Sequence, residues 1–421
     1  MYKKILLCGD KNQFLPFNYN VSAIEASRAM GQNSGNNVFG FALQKMTLCN
    51  NVQVDMRPIE WVVNNTDIIN EKYDACLYSP ANILAVWAKN SNLPMWTETL
   101  KKIKIPFHFV GVGAQSDRHY NLDFVENIQN EGYEFIKSIL NTGGRIGLRG
   151  YFTADVVKKL GFKEEEFTVT GCPSIFMNGP DIKIEKKNIT RENLKPIFNG
   201  NHFWFSEDFH HYFYDYPQSI FVCQDLFYAL LYDIQSFDKK DLYLLQGSLF
   251  ADMFKENRIR LYCDYLAWDK DIRENKFNFC VGSRIHGNVT SLLAGIPSFV
   301  DAVDSRVREL AEFFDIPHGY IEDSQTDLLK LYETTDFTNF NKTFSLKYDN
   351  FKTFMENAGL PCLNNITSIN KEISKLRFKQ PKIKTSFRKI ENLSVFPPND
   401  DKKKKSKIYN LIHLKWLKGE R

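Results

Sequence analysis

Hydrophobic segments alternate between two spacings along the first half of the chain, and this alternation predicts a parallel α/β fold. Short apolar runs typical of buried strands lie at 5–8, 52–56, 75–78, 106–112, 145–148 and 167–170. Segments with helical spacing separate them, at 36–46, 124–140 and 151–160. Because strands that alternate with helices form βαβ units, we expect a mainly parallel sheet covered by helices on both faces.

The second half repeats the alternation after a break. Strand-like runs occur at 219–223, 242–245, 277–281 and 297–300, and helices are predicted after residue 324 and over 348–357. Between them and the first half, an aromatic-rich stretch without a period is interpreted as a linker. Its rings either form a local hydrophobic cluster or a platform on which sugars stack. Two such halves predict an enzyme with its site in the cleft between them.

These patterns divide the chain into five parts. We expect a first Rossmann-like domain at 1–180, a linker at 181–218, a second Rossmann-like domain at 219–345, C-terminal helices and a linker at 346–400, and a basic amphipathic tail at 401–421.

The charge is unevenly distributed, although the net charge is only +4. Residues 371–421 hold sixteen Lys and Arg against five Asp and Glu, whereas the rest of the chain has a net charge of −7. An acidic body argues against a nucleic-acid enzyme, whose basic surface surrounds its site. The tail, with Ile408, Leu411, Ile412 and Trp416 on one helical arc, suits an anionic membrane surface or a groove on another domain or subunit.

Composition indicates a soluble globular protein, with 43% hydrophobic and 25% charged residues. No apolar run reaches the roughly 18 residues that a membrane span needs. The eight cysteines show no CxxC spacing. We therefore expect a reduced, cytoplasmic protein without disulfides or a metal, which the tail can bring to the inner face of the cell membrane.

A turn with the sequence GSRIHG carries the densest set of chemistry-bearing residues. Gly282 ends an apolar run, Ser283 can cap the following helix, and the free N–H groups at a helix start bind anions. Arg284 adds a planar guanidinium for carboxylate or phosphate, and His286 can exchange a proton near neutral pH. Gly287 allows close backbone approach to a ligand. Each residue alone is more often structural, but together they predict a site for small organic anions.

Other segments place polar residues at predicted strand ends, where the cleft would form. Arg149 precedes a helix, and Arg306 lies in the first turn of the helix after the AGIPSFVD segment. Gly113 in GVGAQ allows close approach, and Asn36 in NSGNN opens the first helix. A lone helical arginine is usually solvated, so Arg306 is a candidate binding residue only because other candidate residues are predicted near it. A full dinucleotide fingerprint and a Walker sequence are both absent from the chain, which gives redox and kinase functions little support.

Taken in order, NSGNN, GVGAQ, RIGLRGYFTADVVKKLG, VTGCPSIF, GSRIHG and AGIP followed by DSR resemble the polysaccharide pyruvyltransferase family. The similarity covers roughly 31–317. Arg149 matches the family's arginine before the helix, and Arg284 and His286 match its Arg-x-His turn. Asn36 stands where the family usually has aspartate, and Arg306 where it often has lysine.

The resemblance implies two Rossmann-like halves similar to GT-B glycosyltransferases. It also implies transfer of the enolpyruvyl carbons of phosphoenolpyruvate onto sugar hydroxyls as a ketal, with release of phosphate, during surface-glycan synthesis. The acceptor would be a glycan or a lipid-linked oligosaccharide, and no cofactor is expected. A GT-B glycosyltransferase that uses a nucleotide sugar, and a glycan-binding protein without catalysis, remain as alternatives.

The predicted residues suit this donor on chemical grounds. Arg149, Arg284 and Arg306 can hold its carboxylate and phosphate, and His286 can protonate its methylene carbon. The base for the attacking hydroxyl is open; the candidates are Asp117, Asp301 and Asp304.

Overall fold

A computed structural model describes residues 2–9, 30–48, 51–200, 210–224, 253, 256–262, 265–321 and 326–362. The strand predicted at 242–245 and the basic tail at 401–421 lie outside these residues, as does most of the aromatic-rich loop. Within the described residues no helix is long and apolar enough to cross a membrane.

The first half is built on a six-stranded parallel sheet in the order β2-β1-β3-β4-β5-β6. Helices cover both of its faces, so its strands are apolar on both sides, and Ile5, Leu6 and Leu7 are all fully buried. The strands are β1 Lys4–Gly9, β2 Gln53–Pro58, β3 Ala75–Tyr78, β4 Phe107–Val112, β5 Ile146–Leu148 and β6 Thr168–Val169. The helices are α1 Asn36–Thr47, α2 Ile59–Asn64, α3 Thr66–Lys72, α4 Asn92–Leu100, α5 Phe124–Asn127, α6 Gln129–Asn141 and α7 Tyr151–Lys159.

The second half holds another six-stranded parallel sheet, in the order β12-β11-β10-β7-β8-β9. Its strands are β7 Pro196–Asn199, β8 Ile220–Cys223, β9 Ile259–Leu261, β10 Phe279–Gly282, β11 Ser298–Asp301 and β12 His318–Gly319. Its helices, with those that follow, are α8 His210–Asp215, α9 Tyr265–Glu274, α10 Ile285–Leu293, α11 Ser305–Phe313, α12 Leu328–Thr334 and α13 Thr338–Asn357. Counted within this half, the strand order is the Rossmann order 3-2-1-4-5-6. The prediction of two Rossmann-like, GT-B-like halves is confirmed.

Two predicted boundaries need correction. The second sheet begins at β7, inside the segment 181–218 that was predicted to be a linker. Strand β7 is only four residues long and starts with a proline, a residue that argues against a central strand when the sequence is read alone. The strand is nevertheless central in the sheet. The boundary predicted between 345 and 346 falls inside helix α13.

Helix α13 packs the end of the described chain against the first half. Asn350 Nδ2 donates to the carbonyl of Val169 at 2.8 Å, and the ring of Phe354 lies against Gly147. The largest core cluster accordingly runs through both halves. Across it, the rings of Phe41 in α1 and Tyr265 in α9 stack at 5.1 Å. The middle of α1 is thereby held against the second half.

Candidate functional site

The strand order of the second sheet reverses between β7 and β10. These two strands are neighbours in space but not in sequence. Chains leave the two strands toward opposite faces of the sheet, and ligands of open α/β sheets bind in the crevice that results. Asn199 ends β7 and is fully buried. Its side-chain oxygen accepts the backbone N–H of Arg284 at 2.9 Å, and its carbonyl accepts that of Ser283 at 3.1 Å. The predicted GSRIHG turn therefore lies at this switch point.

Helix α10 starts one residue later than predicted. Arg284, with an extended backbone at φ −97° and ψ 104°, occupies the N-cap position, and no side chain caps the helix. Ser283 is not the cap, because Asn199 ties the Ser283 and Arg284 N–H groups to β7 and keeps this stretch out of helical geometry. Ser283 is itself buried in the turn. The N–H groups of Gly287 and Asn288 donate to the Arg284 carbonyl at 2.9 and 3.3 Å, which leaves those of Ile285 and His286 for a ligand.

Gly287 lets α10 approach its own neighbours closely. A Cβ atom there would stand 2.7 Å from both Asn199 Cγ and Gln224 Nε2. The space predicted for a ligand beside Gly287 is thus occupied by these two side chains. Gln224 is almost completely buried, and its Nε2 has no hydrogen-bond partner among the described residues.

The His286 imidazole is enclosed between the two halves. Its Nε2 lies 3.7 Å from the Cys172 Sγ, and its ring centroid lies 5.4 Å from that of Phe39 in α1. Burial, and secondarily the positive charge of Arg149, lower the pKa of His286 to about 3. The ring is therefore neutral at physiological pH when no anion is bound.

Arg149 is deeply buried in the site, with 2% of its surface exposed. Its Nη1 donates to Asn82 Oδ1, whereas Nε and Nη2 have no hydrogen-bond partner among the described residues. Burial lowers the pKa of Arg149, an effect opposed by the nearby Cys172 and Glu309. Gly113 gives the guanidinium room, since a Cβ atom at Gly113 would lie 3.2 Å from Arg149 Nε. Buried donors without partners are rare in proteins and call for a ligand.

The other two predicted binding residues are held by the protein itself. Arg306 is partly exposed and pairs with Asp304, whose carboxylate also caps α11. Its charge nevertheless contributes to lowering the pKa of Arg149, so the two guanidinium groups are near enough to interact electrostatically. Asn36 donates through Nδ2 to the carbonyl of Met30 at 2.8 Å. The NSGNN loop reaches the second half where Ser34 N donates to the Gln224 carbonyl.

The three aspartates considered as bases differ in surroundings. Asp301 is buried, and burial raises its pKa to about 6. Asp304 is committed to Arg306 and to the helix cap. Asp117 is exposed and accepts the N–H of His119.

Four residues near the site were missed from the sequence: Asn82, Cys172, Asn199 and Glu309. Glu309 is 2% exposed, and its carboxylate accepts both the backbone N–H of Thr153 at 2.6 Å and the Thr153 hydroxyl at 2.9 Å. Burial raises the pKa of Glu309 to about 7. A signal existed only for Cys172, in the GCPSIF motif, because the others depend on contacts between distant segments.

Comparison with known proteins identifies one family. The family model described as Polysaccharide pyruvyl transferase matches residues 90–305, just over half of the chain. No curated protein matches the chain in sequence.

Several solved structures align with most of the chain at low similarity. UDP-N-acetylglucosamine 2-epimerase from Rickettsia bellii is 12% identical, with a TM-score of 0.45 over 89% of this chain and 100% of that chain. UDP-GlcNAc 2-epimerase from Methanocaldococcus jannaschii, solved with UDP-GlcNAc and UDP, is 10% identical, with a TM-score of 0.42 over 85% and 99%. S. aureus MnaA in a co-structure with UDP is 12% identical, with a TM-score of 0.42 over 95% and 100%.

Proposed function

The chain belongs to the polysaccharide pyruvyl transferase family, and we propose that it moves a pyruvyl group from phosphoenolpyruvate onto hydroxyls of a surface glycan. The observation that carries this proposal is the buried Arg149 guanidinium beside a neutral His286, since two of its nitrogens have no partner among the residues that the structure describes. Such a pair suits a small dianion that must also receive a proton.

The donor's two anionic groups fit the charges around the pocket. Arg149 offers a planar fork to a carboxylate or phosphate, and the start of α10 offers the backbone N–H groups of Ile285 and His286 next to Arg284. A phosphate that reached Arg306 would compete with Asp304 for its guanidinium.

His286 supplies the proton in this proposal. A dianion bound nearby favours the protonated imidazole, so donor binding raises the pKa of His286 from the low value that burial gives it. His286 then protonates the methylene carbon of phosphoenolpyruvate, and a sugar hydroxyl forms a C–O bond to the adjacent carbon while losing its proton. The C–O bond to phosphate breaks, inorganic phosphate leaves, and a second hydroxyl closes the ketal with loss of its own proton.

The test is a donor-dependent assay on the full chain. Phosphoenolpyruvate is incubated with a panel of glycans, and released phosphate is measured together with the mass gain of a pyruvyl ketal on the acceptor. We expect both signals in equal amounts, and neither from a folded His286→Ala variant. Near-normal product from that variant would exclude the proposed role of His286. Transfer of sugar from a nucleotide sugar, without phosphoenolpyruvate, would instead establish the glycosyltransferase alternative.

We also propose that residues 401–421 bring the enzyme to an anionic membrane surface, where a lipid-linked acceptor would be presented. The support is the lysine run followed by an apolar arc in this tail. Co-sedimentation with anionic liposomes should be lost when the residues after Asp400 are removed. Equal sedimentation of both proteins would contradict the proposal.

A further inference from the structure

A crevice between the two halves, next to the donor pocket, has no role in the function proposed above. It lies between α7 of the first half and α11 of the second, and encloses about 170 Å³. The residues that matter for its chemistry are Tyr120, Tyr151, Asp155, Glu309, Glu312 and Phe313.

The crevice lies close to the reacting groups. Tyr151 follows Arg149 by two residues, and Glu309 interacts electrostatically with the Arg149 guanidinium. A Cβ atom at Gly150 would stand 2.4 Å from Glu309 Cγ, so the chain between Arg149 and Tyr151 runs directly along this carboxylate. A molecule in the crevice would thus have one end near the Arg149 pocket.

Its walls combine aromatic faces with hydrogen-bond acceptors. The Tyr151 ring is 67% exposed and its centroid lies 5.8 Å from that of Phe313. Glu309 accepts two hydrogen bonds from Thr153. The two oxygens of a carboxyl group have more lone pairs than these two bonds use, so Glu309 keeps capacity for a hydroxyl donor in either protonation state. Apolar ring faces with carboxylate acceptors are a combination suited to the C–H faces and hydroxyls of a sugar.

We propose that this crevice is the subsite for one sugar ring of the acceptor glycan, and that the ring is neutral or carries an amine. This inference rests on the function proposed above. The enclosed space suits a single ring and not a chain of several. Asp155, Glu309 and Glu312 all line it. Burial favours the protonated form of Glu309, and Glu312 is paired with Arg308, so the exposed Asp155 is the charge that disfavours an acidic sugar.

The first experiment separates acceptor binding from donor use. Tyr151→Ala in the full chain should raise the acceptor KM about tenfold, equivalent to about 1.4 kcal/mol, while the KM for phosphoenolpyruvate and kcat at saturating acceptor stay within about twofold. Tyr214→Ala, at a tyrosine of similar exposure (65%) on α8, is the matched control and should change neither KM.

The second experiment tests the sugar class without any turnover. Saturation-transfer NMR on a neutral hexose, a hexosamine and a hexuronate should detect the first two, with signals that are lost in Tyr151→Ala. Asp155→Asn removes one negative charge but keeps an oxygen acceptor. The hexuronate signal should therefore come closer to the signals of the neutral hexose and the hexosamine.

The two proposals fail in different ways. If phosphate release is normal but Tyr151→Ala leaves the acceptor KM unchanged, the crevice is only packing space between the halves and the subsite is wrong. If sugars bind in a Tyr151-dependent manner but phosphoenolpyruvate is not consumed, the subsite stands and the donor assignment is wrong. Preferred binding of the hexuronate would overturn the sugar class.

Discussion

The buried Arg149 guanidinium has a cost in free energy that a bound anion would offset. Asn82 satisfies one nitrogen, and the remaining two have no partner among the described residues. Removing a charged group from water without full hydrogen bonding destabilises the folded protein, and this penalty is the reason that buried charges outside binding sites are rare. The Arg149 guanidinium is therefore expected to strengthen donor binding and to lower the free energy of unfolding.

That opposition gives a prediction for Arg149→Met, which fills a similar volume without charge. We expect the free energy of unfolding to stay level or rise by about 1 kcal/mol, because apolar replacement of a buried ionic group is often neutral or stabilising. Binding of phosphoenolpyruvate should be lost. Urea unfolding and isothermal calorimetry measure the two quantities. A clear loss of stability with retained donor binding would show that Arg149 is structural.

His286 makes the stability of the empty protein depend on pH. Its pKa is lowered to about 3 in the folded state, from an ordinary value of 6.5, so the unfolded chain binds the extra proton first. The contribution of the neutral His286 ring to the free energy of unfolding is complete above about pH 6.5. It is lost as the pH falls toward 3, by about 1.4 kcal/mol per pH unit.

When the pH is lowered from 6 to 5, the free energy of unfolding of His286→Gln should therefore fall by about 1 kcal/mol less than that of the unaltered protein. Urea unfolding at the two pH values measures this difference. His119→Gln, at an exposed histidine, is the control. Identical pH slopes for the His286 variant and the unaltered protein would mean that the imidazole is not buried as described.

At the scale of elements, α10 positions the turn because Gly287 allows it to lie against β7 and Gln224. We expect Gly287→Ala to lower the free energy of unfolding by about 1–3 kcal/mol, since the added methyl would overlap Asn199 Cγ at 2.7 Å. Gly132→Ala, in α6, is the matched control. There the new methyl meets only the end of the flexible Leu160 side chain, and alanine favours the helix. Urea unfolding of both variants distinguishes them, and equal losses would contradict the close packing.

The same elements show what the sequence can and cannot predict. Strand β3 and helices α1, α7 and α11 were predicted well because apolar periodicity and caps such as Asp304 are local signals. Strand β7 was missed, and the helix predicted over 124–140 breaks at Ile128. The candidate residues at strand ends could be named, since parallel strands share one carboxyl edge. Their partners could not, because Asn199 and Arg284 are 85 residues apart.

At the scale of the whole molecule, α11 binds the two halves together. Ser116 N donates to Ser305 Oγ at 2.7 Å, and the Tyr120 hydroxyl donates to Glu312 at 2.6 Å. Glu309 is the most buried of these links, and it receives the free N–H of Thr153 in the first turn of α7. A carboxylate from one half thus caps a helix of the other, next to Arg149. A change in the ionisation of Glu309 therefore changes the strength of this contact between the halves.

Glu309 shifts stability with pH in the opposite sense to His286. Burial raises its pKa to about 7, above its ordinary 4.5, so between these values the folded protein holds a proton that the unfolded chain has released. Its contribution is fully present below about pH 4.5 and is lost as the pH rises through 7, by about 1.4 kcal/mol per pH unit. Glu309→Gln, which stays neutral, should therefore gain stability relative to the unaltered protein as the pH rises from 5 to 7.

Urea unfolding at pH 5, 6 and 7 measures this difference, with Glu312→Gln, a more exposed carboxylate of the same helix, as the control. A relative gain of about 1 kcal/mol per pH unit for the Glu309 variant alone is the expected result. If the difference between variant and unaltered protein is constant with pH, Glu309 is ionised in the fold and the link between the halves is a charged one. Between about pH 4.5 and 6.5 the contributions of His286 and Glu309 change by equal amounts in opposite senses, so together these two groups leave the free energy of unfolding nearly level there and lower it outside that range.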